Sequence, residues 1–80
     1  MKAKVYVTLK NGILDPQGKA VHHSLETIGY DSAVDVRQGK LFEVTLADEL
    51  SPEEAKKQVT EMAEKLLANP VMENFTVEVE

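Results

Sequence analysis

Apolar and polar residues alternate at the start of the chain, where Ala3, Val5, Val7 and Leu9 are interleaved with Lys2, Lys4, Tyr6, Thr8 and Lys10. A period of two predicts a half-buried strand with one aliphatic face. The period then lengthens. Val21, Leu25 and Ile28 fall at i, i+4 and i+7 with Ala20 and Ser24 beside them. This predicts a helix from about Pro16 to Ile28, stopped by Gly29. Alternation returns in Ala33-Val34-Asp35-Val36-Arg37, with Val34 and Val36 facing inward. Gln38-Gly39-Lys40 predicts a hairpin turn into Leu41–Leu46, a strand whose inward face is Phe42, Val44 and Leu46. Ser51-Pro52-Glu53-Glu54 opens a second helix, with Ser51 as N-cap, Pro52 at the first helical position and Glu54 completing a capping box. Its apolar stripe is Ala55, Val59, Met62, Ala63, Leu66 and Leu67, and Asn69-Pro70 ends it. Phe75, Val77 and Val79 then alternate with Thr76, Glu78 and Glu80 as a last strand.

The resulting order, βαββαβ, predicts an α+β two-layer sandwich: a four-stranded antiparallel sheet with both helices on one face, the ferredoxin-like arrangement. In that topology the first and last strands are antiparallel neighbours. Lys2 and Lys4 would then lie beside Glu80 and Glu78, the opposite-charge pairing that neighbouring strands favour.

Between the first strand and the first helix lies the most demanding stretch, Lys10-Asn11-Gly12-Ile13-Leu14-Asp15-Pro16-Gln17-Gly18-Lys19. Asn11-Gly12 suits a turn with positive φ. Asp15 stands where an N-cap belongs, and Pro16 follows where a missing N–H costs nothing. Gly18 is anomalous, because glycine in a first helical turn sacrifices helix propensity. It reads either as a point where another backbone comes close or as a tolerated surface glycine.

Composition narrows the classes. Eighty residues predict a single domain, 1–80. At that size roughly 60% of the extended chain's surface can be buried, so stability is marginal and self-association would help. The absence of cysteine excludes a disulfide framework, a thiolate metal site and a cysteine nucleophile. The N-terminal segment has no apolar run of signal or membrane length, so a soluble, cytoplasmic protein is expected. The net charge of −5 argues against a nucleic-acid partner. Residues 1–40 carry six basic and four acidic side chains, net +2, whereas residues 41–80 carry three and ten, net −7.

Candidate chemistry is sparse. His22 and His23 are adjacent, so on a helix they diverge by about 100° and cannot clamp one metal; they are expected to face solvent. Asp48-Glu49 and Glu53-Glu54 flank a helix start, where the helix dipole favours negative charge, and read as capping rather than acid–base pairs. No nucleophilic triad, phosphate-cradling loop or dinucleotide fingerprint appears. The outer face of the predicted sheet carries Tyr6, Thr8, Asp35, Arg37, Leu41, Glu43, Thr45 and Thr76. Of these, Tyr6, Thr8, Leu41, Glu43 and Thr45 are candidates for an oligomer interface, the alternative being a solvated sheet face.

The run Val5-Tyr6-Val7-Thr8-Leu9-Lys10-Asn11-Gly12-Ile13-Leu14-Asp15-Pro16-Gln17-Gly18-Lys19-Ala20-Val21 closely resembles the PurS family, the small subunit of phosphoribosylformylglycinamidine (FGAM) synthase. Leu25–Gly29 with Tyr30, Val36-Arg37-Gln38-Gly39-Lys40 and Leu66–Glu73 fit the same family. Met72 and the His22-His23 pair depart from its pattern. The resemblance implies an accessory role in de novo purine biosynthesis. In the divided enzyme a glutaminase subunit releases ammonia, and a large synthetase subunit uses ATP and Mg to convert formylglycinamide ribonucleotide (FGAR) to FGAM. The small subunit bridges the two and assists ammonia transfer, with no catalytic residue, metal or cofactor of its own. It also implies a homodimer or tetramer. Asp15, Pro16, Gln17, Gly18, Arg37, Gly39 and Lys40 become candidate contacts with the larger subunits. Local readings stand beside these: Asp15 caps, Gly39 turns, and Arg37 pairs with Glu43 across the hairpin.

The competing class is an ACT-like regulatory domain binding a small molecule, which shares the element order. Its first strand–helix loop is a glycine-containing ligand loop, unlike Leu14-Asp15-Pro16-Gln17-Gly18. An acylphosphatase-like enzyme needs an arginine in that loop, and Lys10–Lys19 contains none.

Overall fold

In the computed structural model, which describes residues 1–80, the alternating N-terminal segment is strand β1 (Lys2–Leu9), at the centre of a three-stranded antiparallel sheet. β2 (Lys40–Thr45) and β3 (Glu73–Val79) flank it on either side. The inward residues Ala3, Val5 and Val7 are fully buried. Val5 lies opposite Phe42 on one side and Val77 on the other, and Val7 lies opposite Phe75. The outward residues bear out the charge expectation. Lys4 stands opposite both Glu43 and Glu78 and reaches Glu80 at 3.2 Å, Lys2 reaches Glu43 at 3.8 Å, and the Tyr6 hydroxyl donates to Glu78 at 3.1 Å. A one-residue slip would separate these charges and turn the valines outward, so two independent patterns specify one register.

Helix α1 runs over Pro16–Thr27 and α2 over Pro52–Met62. Each begins as its sequence predicts. Asp15 accepts from the Gly18 N–H, Ser51 accepts from the Glu54 N–H, and a proline follows each cap. Gly29, at φ 101°, closes α1 with the paired bonds of a Schellman motif, Gly29 N–H to Glu26 O and Tyr30 N–H to Leu25 O.

α2 lies over β1 and β3, burying Ala55, Val59 and Ala63. It then passes into a π-helical turn, Ala63–Leu67, closed by the Ala68 N–H on the Ala63 carbonyl. The extra residue rotates the following side chains by about a quarter turn. Ala68 and Leu67 therefore pack on the sheet, while Leu66, expected in the apolar stripe, is exposed; Met62, which precedes the turn, is exposed at the edge of the stripe.

The predicted four-stranded sheet with both helices on one face requires correction. Residues 33–37 do not join the sheet, and α1 does not lie on it. The expected hairpin at Gln38-Gly39-Lys40 is open. Gly39 has no left-handed φ, and its Cα packs against the Val7 carbonyl so closely that a Cβ would collide with it. The chain therefore runs straight from residue 33 into β2, past the end of β1. α1 and this return segment form an arm projecting beyond the sheet. The radius of gyration is 16.0 Å and the molecule measures 50 × 25 × 14 Å, whereas a compact chain of this length has a radius near 12 Å. The core is correspondingly small. Nine residues are buried, and Gly18 is the only one contributed by α1.

Val59→Ala, at the centre of that core, is expected to cost about 2–3 kcal/mol. Leu66→Ala is expected to change stability by less than about 0.5 kcal/mol. Urea unfolding at one fixed protein concentration checks both. Equal losses would contradict the rotation imposed by the π-turn.

Candidate functional site

The polar groups concentrate where the arm leaves the sheet. Asn11-Gly12 reverses the chain after β1, with Gly12 at φ 86° and the Ile13 N–H on the Lys10 carbonyl. That reversal delivers Asp15 to the start of α1, where its side chain is buried. One carboxylate oxygen accepts from the Gly18 N–H at 2.9 Å and the other from the Gln38 N–H at 2.8 Å. One acid thus caps a helix and grips the returning backbone 23 residues later.

Gly18 follows from this geometry. A Cβ there would strike the Asp15 carboxylate and come within 2.5 Å of the Val36 carbonyl oxygen. Of the two sequence readings of Gly18, close approach of another backbone is the observed one. Arg37 lies beside the clasp with Nε 3.8 Å from Asp15, and its guanidinium donates to the Leu9 and Lys10 carbonyls at 3.1 and 3.3 Å. The expected Arg37–Glu43 pair is absent, because the hairpin that would form it is open. Gln38 Nε2 donates to Gln17 Oε1 at 2.7 Å. Lys40 reaches Glu73 at 3.5 Å, and Glu73 also accepts from the Asn69 N–H at 2.7 Å. An open cleft of about 200 Å³ lies among Asp15, Gln17, Gln38, Lys40 and Glu73.

Asp15, Gly18, Arg37, Gly39 and Lys40, and with them the exposed Pro16 and Gln17, are therefore brought to one junction. Asp15 and Gly18 are buried within it, so the surface of the junction is formed by the exposed members. The interface candidates Tyr6, Leu41, Glu43 and Thr45 share the outer face of the sheet, Tyr6 directly opposite Leu41, and Thr8 lies at its arm end against Gly39. Asp35 and Arg37, also expected on that face, lie on the arm instead.

Two contributors escaped the sequence reading. His22, expected in solvent, is half-buried, with Nε2 2.6 Å from the Ala33 carbonyl, so its ring N–H donates there and ties the far end of the return segment to α1. Glu73 closes the junction from the opposite strand. Helical periodicity places neither, because both partners are distant in sequence.

The Asp15 carboxyl is held below the usual carboxylate range, first by the Gln38 N–H, then by the Gly18 N–H, with the Arg37 charge assisting and burial opposing. Both oxygens are spent on backbone donors, which makes the group a fastener rather than a proton-transfer catalyst. The Tyr6 hydroxyl is raised, chiefly because its proton is shared with Glu78.

These features define a small α+β protein whose polar groups fasten a projecting arm to a three-stranded sheet. It belongs to the PurS family: the family described as phosphoribosylformylglycinamidine (FGAM) synthase matches residues 2–80. The chain is 51% identical to the phosphoribosylformylglycinamidine synthase subunit PurS of Bacillus subtilis, over 99% of this chain and 92% of that one. The PurS crystal structure from the same organism matches 99% of this chain and 96% of its own, with a TM-score of 0.83. PurS of Methanocaldococcus jannaschii, one of the subunits of formylglycinamide ribonucleotide amidotransferase, matches 99% and 94% at 34% identity and a TM-score of 0.87. Matches of that quality extend through the projecting arm as well as the sheet.

Because the folded-state pKa of Asp15 lies below its unfolded value, its contribution is complete above about pH 4–5 and is lost as pH falls through the folded value. Asp15→Asn keeps an N-cap but cannot serve both donors as a charge. Its melting temperature should be lower than wild type at pH 7, and the two curves should converge as pH falls through the lowered folded-state value of Asp15. Parallel curves would show that the carboxylate charge does not hold the clasp.

Proposed function

We propose that this chain, acting as one unit, is the small accessory subunit of the FGAM synthase complex in purine biosynthesis. It bridges the glutaminase and synthetase subunits and assists ammonia transfer during the ATP- and glutamine-dependent conversion of FGAR to FGAM. The observation that carries this reading is similarity to PurS subunits along nearly the whole chain, 51% identity to that of Bacillus subtilis over 99% of this chain. The chain supplies position, and the chemistry, with its ATP and Mg, belongs to the large subunit. Pro16, Gln17, Arg37 and Lys40 present the contacts at the arm junction, set in place by Asp15, Gly18 and Gly39. The complex works in the cytoplasm, and the chain enters it as a homodimer or tetramer.

Reconstitution with the cognate glutaminase and synthetase tests this. The chain should be required with glutamine as nitrogen source and much less with ammonium. Arg37→Ala and Gly18→Val should each lower the glutamine-dependent rate several-fold and leave the ammonium-dependent rate nearly unchanged. Equal glutamine-dependent activity with and without the chain would overturn the bridging role.

A further inference from the structure

The reversal after β1 is fastened at its feet and free at its tip. The Lys10 N–H donates to the Met72 carbonyl at 2.8 Å, and the Ile13 N–H closes on the Lys10 carbonyl at 3.2 Å. The Arg37 guanidinium holds the Leu9 and Lys10 carbonyls from the other side. At the tip stand Asn11 and Gly12, both exposed. The Gly12 N–H is given to no carbonyl, and a Cβ added at Gly12 would meet nothing within 4 Å. The Asn11 side-chain amide therefore adjoins a backbone nitrogen that is neither engaged nor shielded.

No other side-chain amide of the chain is so placed. Asn69 precedes Pro70, whose nitrogen carries no proton, and its Oδ1 accepts from the Val71 N–H at 3.0 Å. Asn74 lies within β3 opposite Thr8 and is followed by the bulky Phe75. Gln58 lies within α2 and precedes the branched Val59. Gln17 and Gln38 precede glycines, but their side chains bond to each other at 2.7 Å, and the Gly18 N–H is engaged by Asp15. Glutamine would also have to close a larger ring.

We infer that Asn11 is a self-modification site, where attack by the Gly12 nitrogen converts the side-chain amide to an acid and loosens the base of the arm. The Gly12 nitrogen gives up its proton and attacks Asn11 Cγ, forming a new C–N bond. The Cγ–Nδ2 bond breaks, and the amide nitrogen leaves as ammonia with that proton. One water molecule then opens the cyclic imide and returns a proton to the Gly12 nitrogen. Opening at Cγ gives aspartate, and opening at the main-chain carbonyl gives isoaspartate. One water is consumed, one ammonia is released, and nothing is oxidised or reduced. Either product adds one negative charge, taking the net charge from −5 to −6.

The two products differ mechanically. Aspartate leaves the main chain as it was. Isoaspartate routes the main chain through the side-chain methylene, lengthening a reversal whose feet are pinned. That shifts Asp15, whose carboxylate must meet the Gly18 and Gln38 N–H groups together. The conversion is a slow, one-way release of the clasp, and it is independent of the complex proposed above.

The test follows the full-length folded chain at mildly alkaline pH over days, by peptide mapping and by labelling with an isoaspartyl methyltransferase. The amide-to-acid mass gain and the methyl label should accumulate at Asn11 several-fold faster than at Asn69 or Asn74, and faster as pH rises. Asn11→Gln should keep the wild-type circular dichroism and abolish the more acidic species on ion exchange. The isoaspartyl chain, isolated by ion exchange, should melt several degrees below its parent, whereas Asn11→Asp should melt with the parent. Conversion no faster at Asn11 than at the other asparagines, or seen only in the urea-unfolded chain, overturns the site. An isoaspartyl chain that melts with its parent supports the site and overturns the loosening.

Discussion

The course of this chain depends on one carboxylate. Asp15 satisfies an orphan N–H at the start of α1 and, through its other oxygen, the N–H of Gln38. A helix start must satisfy its free donors somehow, and most do so with a local cap. Here the same cap reaches across to a second segment, so the direction in which α1 leaves the sheet and the direction in which the chain returns are set by a single group. Gly18 and Gly39 are the steric conditions of that arrangement, since a side chain at either would collide with backbone or with the clasp.

The consequence is a molecule with two parts of different character. The sheet and α2 form a conventional core of small aliphatic residues, with opposite charges on the outer face guarding its register. The arm is organised by polar contacts, from Asp15 and Arg37 at its base to His22 at its far end, and leaves its apolar residues uncovered. A polar scaffold holding an apolar surface away from its own core is what an assembly component needs. It keeps the surface in a defined place without consuming it.

Much of this was legible in the residues. Both helix starts, the Gly29 stop, the Gly12 turn and the β1–β3 charge pairing were predictable because each is a matter of neighbours within one turn or directly across a ladder. The grouping of Asp15, Gly18, Arg37, Gly39 and Lys40 came with the family resemblance, and the geometry supplies its physical basis. Leu66 was misplaced because periodicity assumes an unbroken α-helix, and the π-turn at Ala63–Leu67 inserts an extra residue into the repeat. His22 was misplaced because its partner, the Ala33 carbonyl, lies beyond the helix.

Apart from residues 33–37 and the π-turn at Ala63–Leu67, the sequence by itself determined the type and order of the elements, which strand faces are apolar, and how strongly each helix begins. Those properties reside in short-range spacing and in the intrinsic conformations of glycine, proline and aspartate. Only the tertiary structure decided the fate of residues 33–39. Gln38-Gly39-Lys40 is compatible with a tight hairpin and with an extended joint, because glycine accepts either backbone conformation at little cost. The choice was made by Val7 and Asp15, residues more than twenty positions away, whose carbonyl and carboxylate meet the joint only once the chain has folded.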